Sequence, residues 1–483
     1  HAYMLSNKIS FHDDISSLFT IGMTWKLGRW GLGIICYLLD VTIGKYSLPF
    51  LGGMISLILI AITAVLIVDI LDFNKKEICF LLGAIMSVFP VVAAIFMYMF
   101  TAASYFVALL SIVLAIWLTE KRKYGWIAAI FSVAFSLGIY PAFLGVGLTV
   151  IVLLLIKNCF IKELKDIIGE LIKYMAIMIC GLFVHFRILN FFLKITNNKL
   201  SGYMGVDSMT NISVMERLNS IKMCYIDMYE VLFKGEPGVT ENRIIQLIIL
   251  VLILLVLICA GILSREIDNL HQKFVYIICV VALPISINFI YVMVMGEVQV
   301  HDLMRYSLVM LWIVALFFVS RLLEVENKRK SIIKKIVYYC CMFSIGLYVH
   351  YDNVAYMKVG FLQEQTTAYY TTLITQIKSC EGYKDEFPIV YVGKGNIEDK
   401  TISKNEEYKI KFSLFEPDLT DWVNNYTYVS YMRNHCGFSP NILQENEITE
   451  WEEINRMPIY PDDGSIKVID NTVVVKFAEK TLN

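Results

Sequence analysis

Two adjacent carboxylates near the start of the chain, Asp13 and Asp14, are the residues whose type and spacing best suit chemistry. Such a carboxylate could take a proton from an attacking hydroxyl group, and the pair could hold a divalent cation. Farther along the chain, Arg29 carries a guanidinium fork that matches the geometry of a phosphate group. The competing interpretation is structural, because Asp14 could instead cap the helix that follows it.

Other cationic side chains lie inside apolar segments or at their ends. Arg305 ends a short loop, residues 297–305, that also contains His301. An arginine at the end of a membrane span suits a lipid phosphate, although it could also simply snorkel to the interface. His185 and Arg187 lie within an apolar run, where an ionisable side chain is by default a functional candidate. Two residues apart, they cannot share one helical face, and Arg187 is preferred because it lies nearer the outer surface.

These residues belong to a chain with the composition of a membrane protein. Of its 483 residues, 57% are hydrophobic and only 18% are charged, and the mean hydropathy is +0.62. Such values exclude a disordered protein, a nucleic-acid binder with a basic stripe and a simple soluble enzyme. The net charge of −1 conceals an asymmetry, since residues 351–483 carry 21 acidic and 13 basic side chains. A polytopic α-helical membrane part is therefore joined to an acidic soluble part.

Ten apolar runs predict membrane-spanning helices. They fall at residues 46–71, 78–99, 102–119, 125–140, 142–157, 173–193, 244–263, 274–296, 306–322 and 333–349. Alternate loops hold fifteen lysine and arginine side chains, whereas the short opposite loops hold only Arg305. Positive loops mark the cytoplasmic face, so residues 1–45, 194–243 and 351–483 are predicted to lie outside. An outer N-terminus implies a further helix before His1, which would make eleven spans.

The chain divides into three predicted regions. They are an extracytoplasmic loop with the acidic pair, a transmembrane domain and a C-terminal extracytoplasmic domain, at residues 1–45, 46–350 and 351–483. Within the first region, residues 16–39 are predicted to form an interfacial helix. Its aromatic residues Trp25, Trp30 and Tyr37 would then lie at the level of the lipid headgroups.

The C-terminal region has the pattern of a small α/β domain. It predicts a helix, a buried strand, two further helices and a β-hairpin, at residues 354–380, 387–393, 420–435, 446–456 and 465–477. The hairpin turn is expected at Asp470 and Asn471, whose residue types favour tight turns. Cys380 and Cys436 are the only cysteines of this domain, so outside the cytosol they could form a disulfide. The alternative is two buried thiols.

The order of these features resembles a known enzyme family. An Asp-Asp pair in the first outer loop, a Trp-x-x-x-Arg motif, eight or more spans and a soluble tail are similar to one class of bacterial membrane enzymes. These are the serotype-converting (Gtr-type, glucosyltransferase II-like) glucosyltransferases of the GT-C superfamily. The segments that carry the resemblance are residues 11–30, Ser136–Tyr140, Met304–Tyr306 and Met457–Lys476. The chain departs from the family pattern at Pro141, where relatives often have a glutamine.

The resemblance implies a glycosyltransferase at the outer face of the bacterial plasma membrane. It would move a hexose, in this family glucose, from a polyprenyl-phosphate donor such as undecaprenyl phosphate glucose to a cell-surface polysaccharide or glycan. Asp13 or Asp14 would act as the base, and this pair would also hold a divalent cation if one is used. The residues implied to bind the donor lipid phosphate are Arg29, Arg305, Arg187 and His301. Those implied to contact the sugar or the acceptor are Trp25 and Tyr140.

Two other functions stay open from the sequence. A flippase or transporter of lipid-linked glycans would have discontinuous helices and charges near the bilayer midplane, whereas here the acidic residues gather at one membrane surface. A polysaccharide polymerase would be expected to have arginine-rich outer loops, but residues 194–243 contain only Arg217 and Arg243. Both alternatives are therefore weaker than a transferase.

Overall fold

The computed structural model describes residues 1–7, 9, 13–18, 25–42, 44, 46–201, 214–235, 239–240, 242–294, 300–323, 328–393, 427–447 and 451–479. Within these ranges the protein is mostly helical, with one small sheet near the C-terminus. The chain divides into two compact units. The described residues of 1–7 and 19–354 form the transmembrane unit, and those of 8–18 and 355–483 form the C-terminal unit.

The helices are numbered in chain order. They are α1 (Ala2–Ser6), α2 (Asp13–Ser16), α3 (Trp30–Thr42), α4 (Pro49–Leu71), α5 (Lys76–Val88), α6 (Pro90–Phe96), α7 (Met99–Lys121), α8 (Gly125–Ile139), α9 (Leu144–Asn158), α10 (Leu164–Ile195), α11 (Val214–Phe233), α12 (Arg243–Leu263), α13 (Leu270–Ile287), α14 (Ile290–Met293), α15 (Met310–Leu323), α16 (Lys328–Ser379), α17 (Tyr428–Cys436) and α18 (Trp451–Arg456).

In the described ranges, seven helices are long and apolar enough to cross a membrane, or eight when the bent pair α5–α6 is taken as one span. The ten predicted apolar runs all fall on apolar helices. Two of these helices, Gly125–Ile139 and Tyr306–Leu322, are too short to pass as spans by themselves. The chain is thus a polytopic helical membrane protein, and the count of ten spans stays a prediction.

The bend between α5 and α6 is explained by Pro90, the first residue of α6. Proline has no N–H to offer the carbonyl of Met86, four residues earlier, and the two helices meet at an angle of 41°. Tyr306 supplies the missing donor, because its hydroxyl donates to Met86 O at 2.8 Å. A buried side chain therefore satisfies the carbonyl that the proline leaves open, as an apolar environment requires.

The segment before the first long helix differs from the predicted interfacial helix over residues 16–39. A short 3-10 helix covers Trp25–Leu27 and α3 begins only at Trp30. Residues 19–24 lie outside the described ranges. Trp30 is 5% exposed, whereas Tyr37 is exposed, and their predicted place at the headgroup level stays a prediction. The indole of Trp30 packs α3 against neighbouring helices.

The longest helix, α16, joins two segments that patterning predicts separately. It has 52 residues and includes the predicted span at 333–349 and almost all of the predicted helix at 354–380. No proline occurs between Lys328 and Ser379, so no residue of that type forces the backbone out of the helical conformation.

The C-terminal unit contains a four-stranded sheet in the order β2-β1-β4-β3. The strands are β1 (Ile389–Val392), β2 (Ile442–Leu443), β3 (Ile466–Ile469) and β4 (Thr472–Lys476). β1 is parallel to both neighbours, and β3 and β4 form an antiparallel hairpin. Asp470 and Asn471 make the turn with φ angles of 45° and 59°, which Asp and Asn tolerate best after glycine. The predictions of a buried strand and a hairpin are confirmed.

The central strands β1 and β4 of this sheet are buried along almost their whole length. Val390 and Val474 are buried together with Ile454 of α18. The helices predicted at 420–435 and 446–456 correspond to α17 and α18, and α17 begins only at Tyr428. Residues 420–426 and 448–450 lie outside the described ranges.

The two cysteines of the C-terminal unit are free thiols and are half-buried. The predicted disulfide between Cys380 and Cys436 is therefore absent from the structure. Cys380 lies next to the hairpin instead, where its thiol donates a hydrogen bond to Ile466 O at 3.4 Å.

Candidate active site

Arg29 is held by two stacked tyrosines of the transmembrane unit. Its Nη1 donates to the hydroxyl of Tyr105 at 2.8 Å, and its guanidinium lies 5.4 Å from the ring centroid of Tyr140. The two rings are stacked with centroids 4.0 Å apart and an interplanar angle of 8°. Cation–π contact and a hydrogen bond together fix the direction of the charge. The structure thus brings the predicted residues Arg29 and Tyr140 together and adds Tyr105, which sequence reasoning missed.

The local sequence explains why Tyr140 meets Arg29. Tyr140 precedes Pro141, and a residue before proline is driven into an extended conformation, here with φ −152° and ψ 97°. Helix α8 therefore ends at Ile139, and a short 3-10 helix begins at Pro141. Gly31 lies against Gly138 and Ile139 at this helix end, which allows the start of α3 to approach closely. Pro141 thus turns Tyr140 out of the helix.

Replacing Gly138 by alanine is expected to destabilise the protein, although alanine ordinarily stabilises a helix relative to glycine by about 1 kcal/mol. A Cβ atom at this position would lie 2.4 Å from the Trp30 ring, so the indole would have to move, at a cost of about 1–3 kcal/mol. The measurement is the thermal unfolding midpoint in detergent. Gly261→Ala is the matched control, because nothing lies within 4 Å of its Cβ position. Equal midpoints for both variants would contradict the close contact.

The Arg29 site is linked to the segment before α15 by a series of aromatic contacts. The ring centroids of Tyr140 and Phe143 are 5.5 Å apart, and those of Phe143 and Tyr306 are 5.6 Å apart. Tyr306 follows Arg305 directly in the chain. Two of the predicted phosphate ligands, Arg29 and Arg305, are therefore carried by segments that pack on one aromatic cluster.

Arg305 forms a buried ion pair with an acidic residue that the sequence analysis did not select. Its Nη2 lies 2.7 Å from Oδ1 of Asp227 on α11, and the hydroxyl of Tyr291 donates to the same oxygen. Arg305 and Asp227 are 5% and 2% exposed. Snorkelling of Arg305 to the membrane interface does not describe this environment. The available sequence signal was the position of Asp227 on the otherwise apolar face of α11, beside Cys224 and Val231.

Arg187 and His185, both on α10, have different surroundings. Arg187 is on the exposed face of α10, with its guanidinium 6.0 Å from the ring centroid of Phe183. His185 faces the interior, where its Nδ1 accepts a hydrogen bond from the Trp30 indole at 3.0 Å. Of these two residues, the structure therefore places His185, not the preferred Arg187, near α3.

His301 and Trp25 lie at the edges of short 3-10 helices. His301 is half-buried and directly precedes the one at Asp302–Met304. Trp25 is half-buried and its ring stacks on Phe192 at 4.8 Å, with an interplanar angle of 28°. Its ring is thus used for packing on α10 in this structure.

The acidic pair belongs to the C-terminal unit. Asp13 and Asp14 form the first turn of α2, where Asp13 is half-buried and Asp14 is 0% exposed. Helix α2 contacts α17, and Asn434 Nδ2 donates to Ile15 O at 3.1 Å. The structure groups the described residues of 8–18 with the C-terminal unit, whereas the sequence predicts a first region that ends at residue 45.

Replacing Asn434 by alanine is expected to loosen α2. The change removes a hydrogen bond of about 1 kcal/mol, so amide exchange of residues 13–18 should become roughly fivefold faster. Hydrogen–deuterium exchange with mass spectrometry measures this directly. Glu452→Ala, an exposed residue of α18, is the control. Unchanged exchange in Asn434→Ala would show that α17 does not hold the acidic pair.

The described residues contain no group of three or more His, Cys, Asp or Glu side chains placed to hold a metal ion. A role for Asp13 and Asp14 in binding a divalent cation therefore stays a prediction.

These features define the class: a polytopic membrane protein whose buried and half-buried arginines are fixed by tyrosines and a carboxylate, with an acidic pair in a small α/β unit. The chain belongs to the glucosyl transferase GtrII family, whose family model matches residues 2–317. The resemblance to the Gtr-type glucosyltransferases is thereby confirmed, and the matched region includes every candidate site residue from Asp13 to Arg305. No curated protein and no solved structure matches the chain.

Proposed function

We propose that this glucosyltransferase takes glucose from a polyprenyl-phosphate donor and transfers it to a cell-surface polysaccharide or glycan outside the bacterial plasma membrane. The observation that carries the proposal is the fixed cation Arg29, held by Tyr105 and Tyr140 within the transmembrane unit. A phosphate on a lipid carrier lies at the membrane surface, so a transferase that uses it needs cationic groups on its membrane part. Arginine suits this role because its planar fork matches phosphate oxygens.

The reaction follows from the residue types. An acceptor hydroxyl attacks the anomeric carbon of the glucose, and the bond between this carbon and the phosphate oxygen breaks. The hydroxyl proton passes to a carboxylate of the acidic pair, and polyprenyl phosphate leaves. Arg29 and Arg305 offset the charge that develops on the leaving phosphate, which is the kind of interaction that contributes most to such catalysis.

Asp13 is the better candidate for the base. A base has to contact the hydroxyl group that it deprotonates, and Asp13 keeps part of its surface exposed while Asp14 is fully buried. Asp14 then supports the position of Asp13 from within α2. If a divalent cation takes part, this pair would hold it and help to orient the acceptor.

A flippase or transporter is the alternative to be weighed against one feature, the break between α5 and α6. Discontinuous helices of transporters normally present backbone groups or charges to a substrate. Here every residue of α6 is apolar and buried, and the carbonyl of Met86 is already satisfied by Tyr306. The break is therefore filled by packing and does not favour transport.

The experiment that tests the proposed function compares the bacterium that encodes this protein with a strain from which the gene has been deleted. The deletion is expected to remove a glucose substituent from a surface glycan, as measured by composition and linkage analysis, and the wild-type gene should restore it. Restoration should fail with Asp13→Asn at equal protein abundance. Unchanged surface glycans in the deletion strain would contradict the proposal.

A further inference from the structure

Helix α11 has a buried face that contains one acidic side chain. Cys224, Met228 and Val231 lie on this face, at the spacing of successive helical turns. Asp227 belongs to the same face and is 2% exposed, although burying a carboxylate is costly unless it is paired. Arg305, which is 5% exposed, supplies the opposite charge. An ion pair thus occupies a place that apolar side chains could fill.

Asp227 accepts both of its hydrogen bonds on one oxygen atom. Its Oδ1 accepts hydrogen bonds from Nη2 of Arg305, at 2.7 Å, and from the hydroxyl of Tyr291. Its Oδ2 has no hydrogen-bond partner within the described parts of the chain. The contact with Arg305 is therefore end-on through one terminal nitrogen, in contrast to a bidentate fork. Such a contact sets the direction of the guanidinium without using both carboxylate oxygens.

A second pair of contacts fastens α11 to the segment that leads to Arg305. Asn288 Nδ2 donates to Cys224 O at 2.9 Å, and the Cys224 thiol donates to Asn288 O at 3.3 Å. Burial raises the pKa of the Cys224 thiol to about 11, and the nearby carboxylate of Asp227 adds to the increase. The thiol therefore keeps its proton at neutral pH and remains a donor. Helix α11 is thus attached at two successive turns to the chain between α13 and α15.

We propose that Asp227 is a positioning residue, which orients the guanidinium of Arg305 toward the phosphate of the lipid-linked donor. The inference rests on the proposed function, in which Arg305 binds that phosphate. Buried ion pairs usually contribute no more net stability than apolar packing of similar volume, so orientation explains this pair better than stability does. Asp227 acts through Arg305 and does not itself contact the substrate.

The test measures the binding of undecaprenyl phosphate and the turnover of undecaprenyl phosphate glucose by the whole chain in nanodiscs. Asp227→Asn keeps the shape and the acceptor oxygen but removes the charge, and it is expected to raise the Kd for undecaprenyl phosphate about tenfold. Arg305→Gln should raise it at least as much. The double variant should be no weaker than Arg305→Gln alone, because the two residues act as one unit. The donor KM should rise in parallel, with a smaller change in kcat.

Two further variants separate positioning from a general loss of stability. Tyr291→Phe removes the second donor to Asp227 Oδ1 and leaves all charges, so a smaller increase in Kd is expected. This variant also reports on the site if Asp227→Asn fails to fold. Glu230→Gln breaks an exposed pair with Lys234, whose atoms are 2.7 Å apart on the same helix, and should leave the Kd unchanged.

Several outcomes would overturn the inference. A folded Asp227→Asn variant that binds undecaprenyl phosphate with the wild-type Kd would overturn it. So would a double variant in which the losses of affinity from the two single changes add up. If wild type still binds undecaprenyl phosphate and consumes the donor in these cases, the proposed function stands. If wild type neither binds the lipid phosphate nor consumes the donor, both the inference and the proposed function are wrong.

Discussion

Asp13→Asn is expected to lower the rate of glucose transfer by about 10²–10⁴-fold while the protein stays folded. Asparagine has the shape of aspartate but cannot take up the proton of the attacking hydroxyl group. The effect should fall on kcat, since deprotonation of the hydroxyl takes place in the transition state. Binding of undecaprenyl phosphate should be nearly unchanged, because this ligand lacks both the sugar and the acceptor. Loss of turnover with intact lipid binding is the combination that identifies Asp13 as the base.

The measurement is donor turnover in proteoliposomes, normalised to folded protein. Asp463→Asn is a matched control, because Asp462 and Asp463 form a second acidic pair that is exposed in a Pro-Asp-Asp-Gly turn. Asp14→Asn separates the two members of the first pair, since it should lower stability more than kcat. Full activity of Asp13→Asn together with a silent but folded Asp14→Asn would move the role of base to Asp14.

Arg29→Gln is expected to lower turnover by about 10²–10³-fold, the loss typical of removing one group that stabilises the charge of a transition state. Glutamine cannot offset the developing phosphate charge, and it also loses the cation–π contact with Tyr140. The affinity for undecaprenyl phosphate should fall as well, which distinguishes this variant from Asp13→Asn.

Two variants make the Arg29 result specific. Lys26→Gln removes an exposed positive charge from the same segment and should leave turnover within about twofold of wild type, because exposed charges are screened by salt. Tyr105→Phe keeps the stacked ring but removes the acceptor of the 2.8 Å hydrogen bond, so its loss should be smaller than that of Arg29→Gln. Equal losses in Lys26→Gln and Arg29→Gln would show that only overall charge matters.

The helical framework could be predicted from the sequence because hydropathy is a local property. Each predicted apolar run falls on an apolar helix, and the hairpin at Asp470 and Asn471 follows from residues that tolerate positive φ. The continuity of α16 was missed because its polar second half has no apolar run, although no proline interrupts it. Local patterns therefore predicted the elements but not where one helix continues into the next.

The candidate site could be predicted only in part, because its contacts join distant residues. Asp227 lies 78 positions before Arg305, and Asn434 lies 419 positions after Ile15, whose carbonyl it binds. No spacing rule connects such pairs. The packing of Trp30 could not be predicted for a related reason: an aromatic residue near a membrane end has the pattern of a headgroup anchor, and its contacts with Gly138 and His185 join residues far apart in the sequence.

The central claim, transfer from a lipid-phosphate donor, is tested most directly by release of undecaprenyl phosphate from labelled undecaprenyl phosphate glucose in proteoliposomes that contain the purified protein and surface glycan from the deletion strain. Wild type is expected to release undecaprenyl phosphate and to label the glycan, Asp13→Asn to do neither, and UDP-glucose not to replace the donor. Labelling of the glycan from UDP-glucose, or no release from the lipid-linked donor by wild type, would contradict the account.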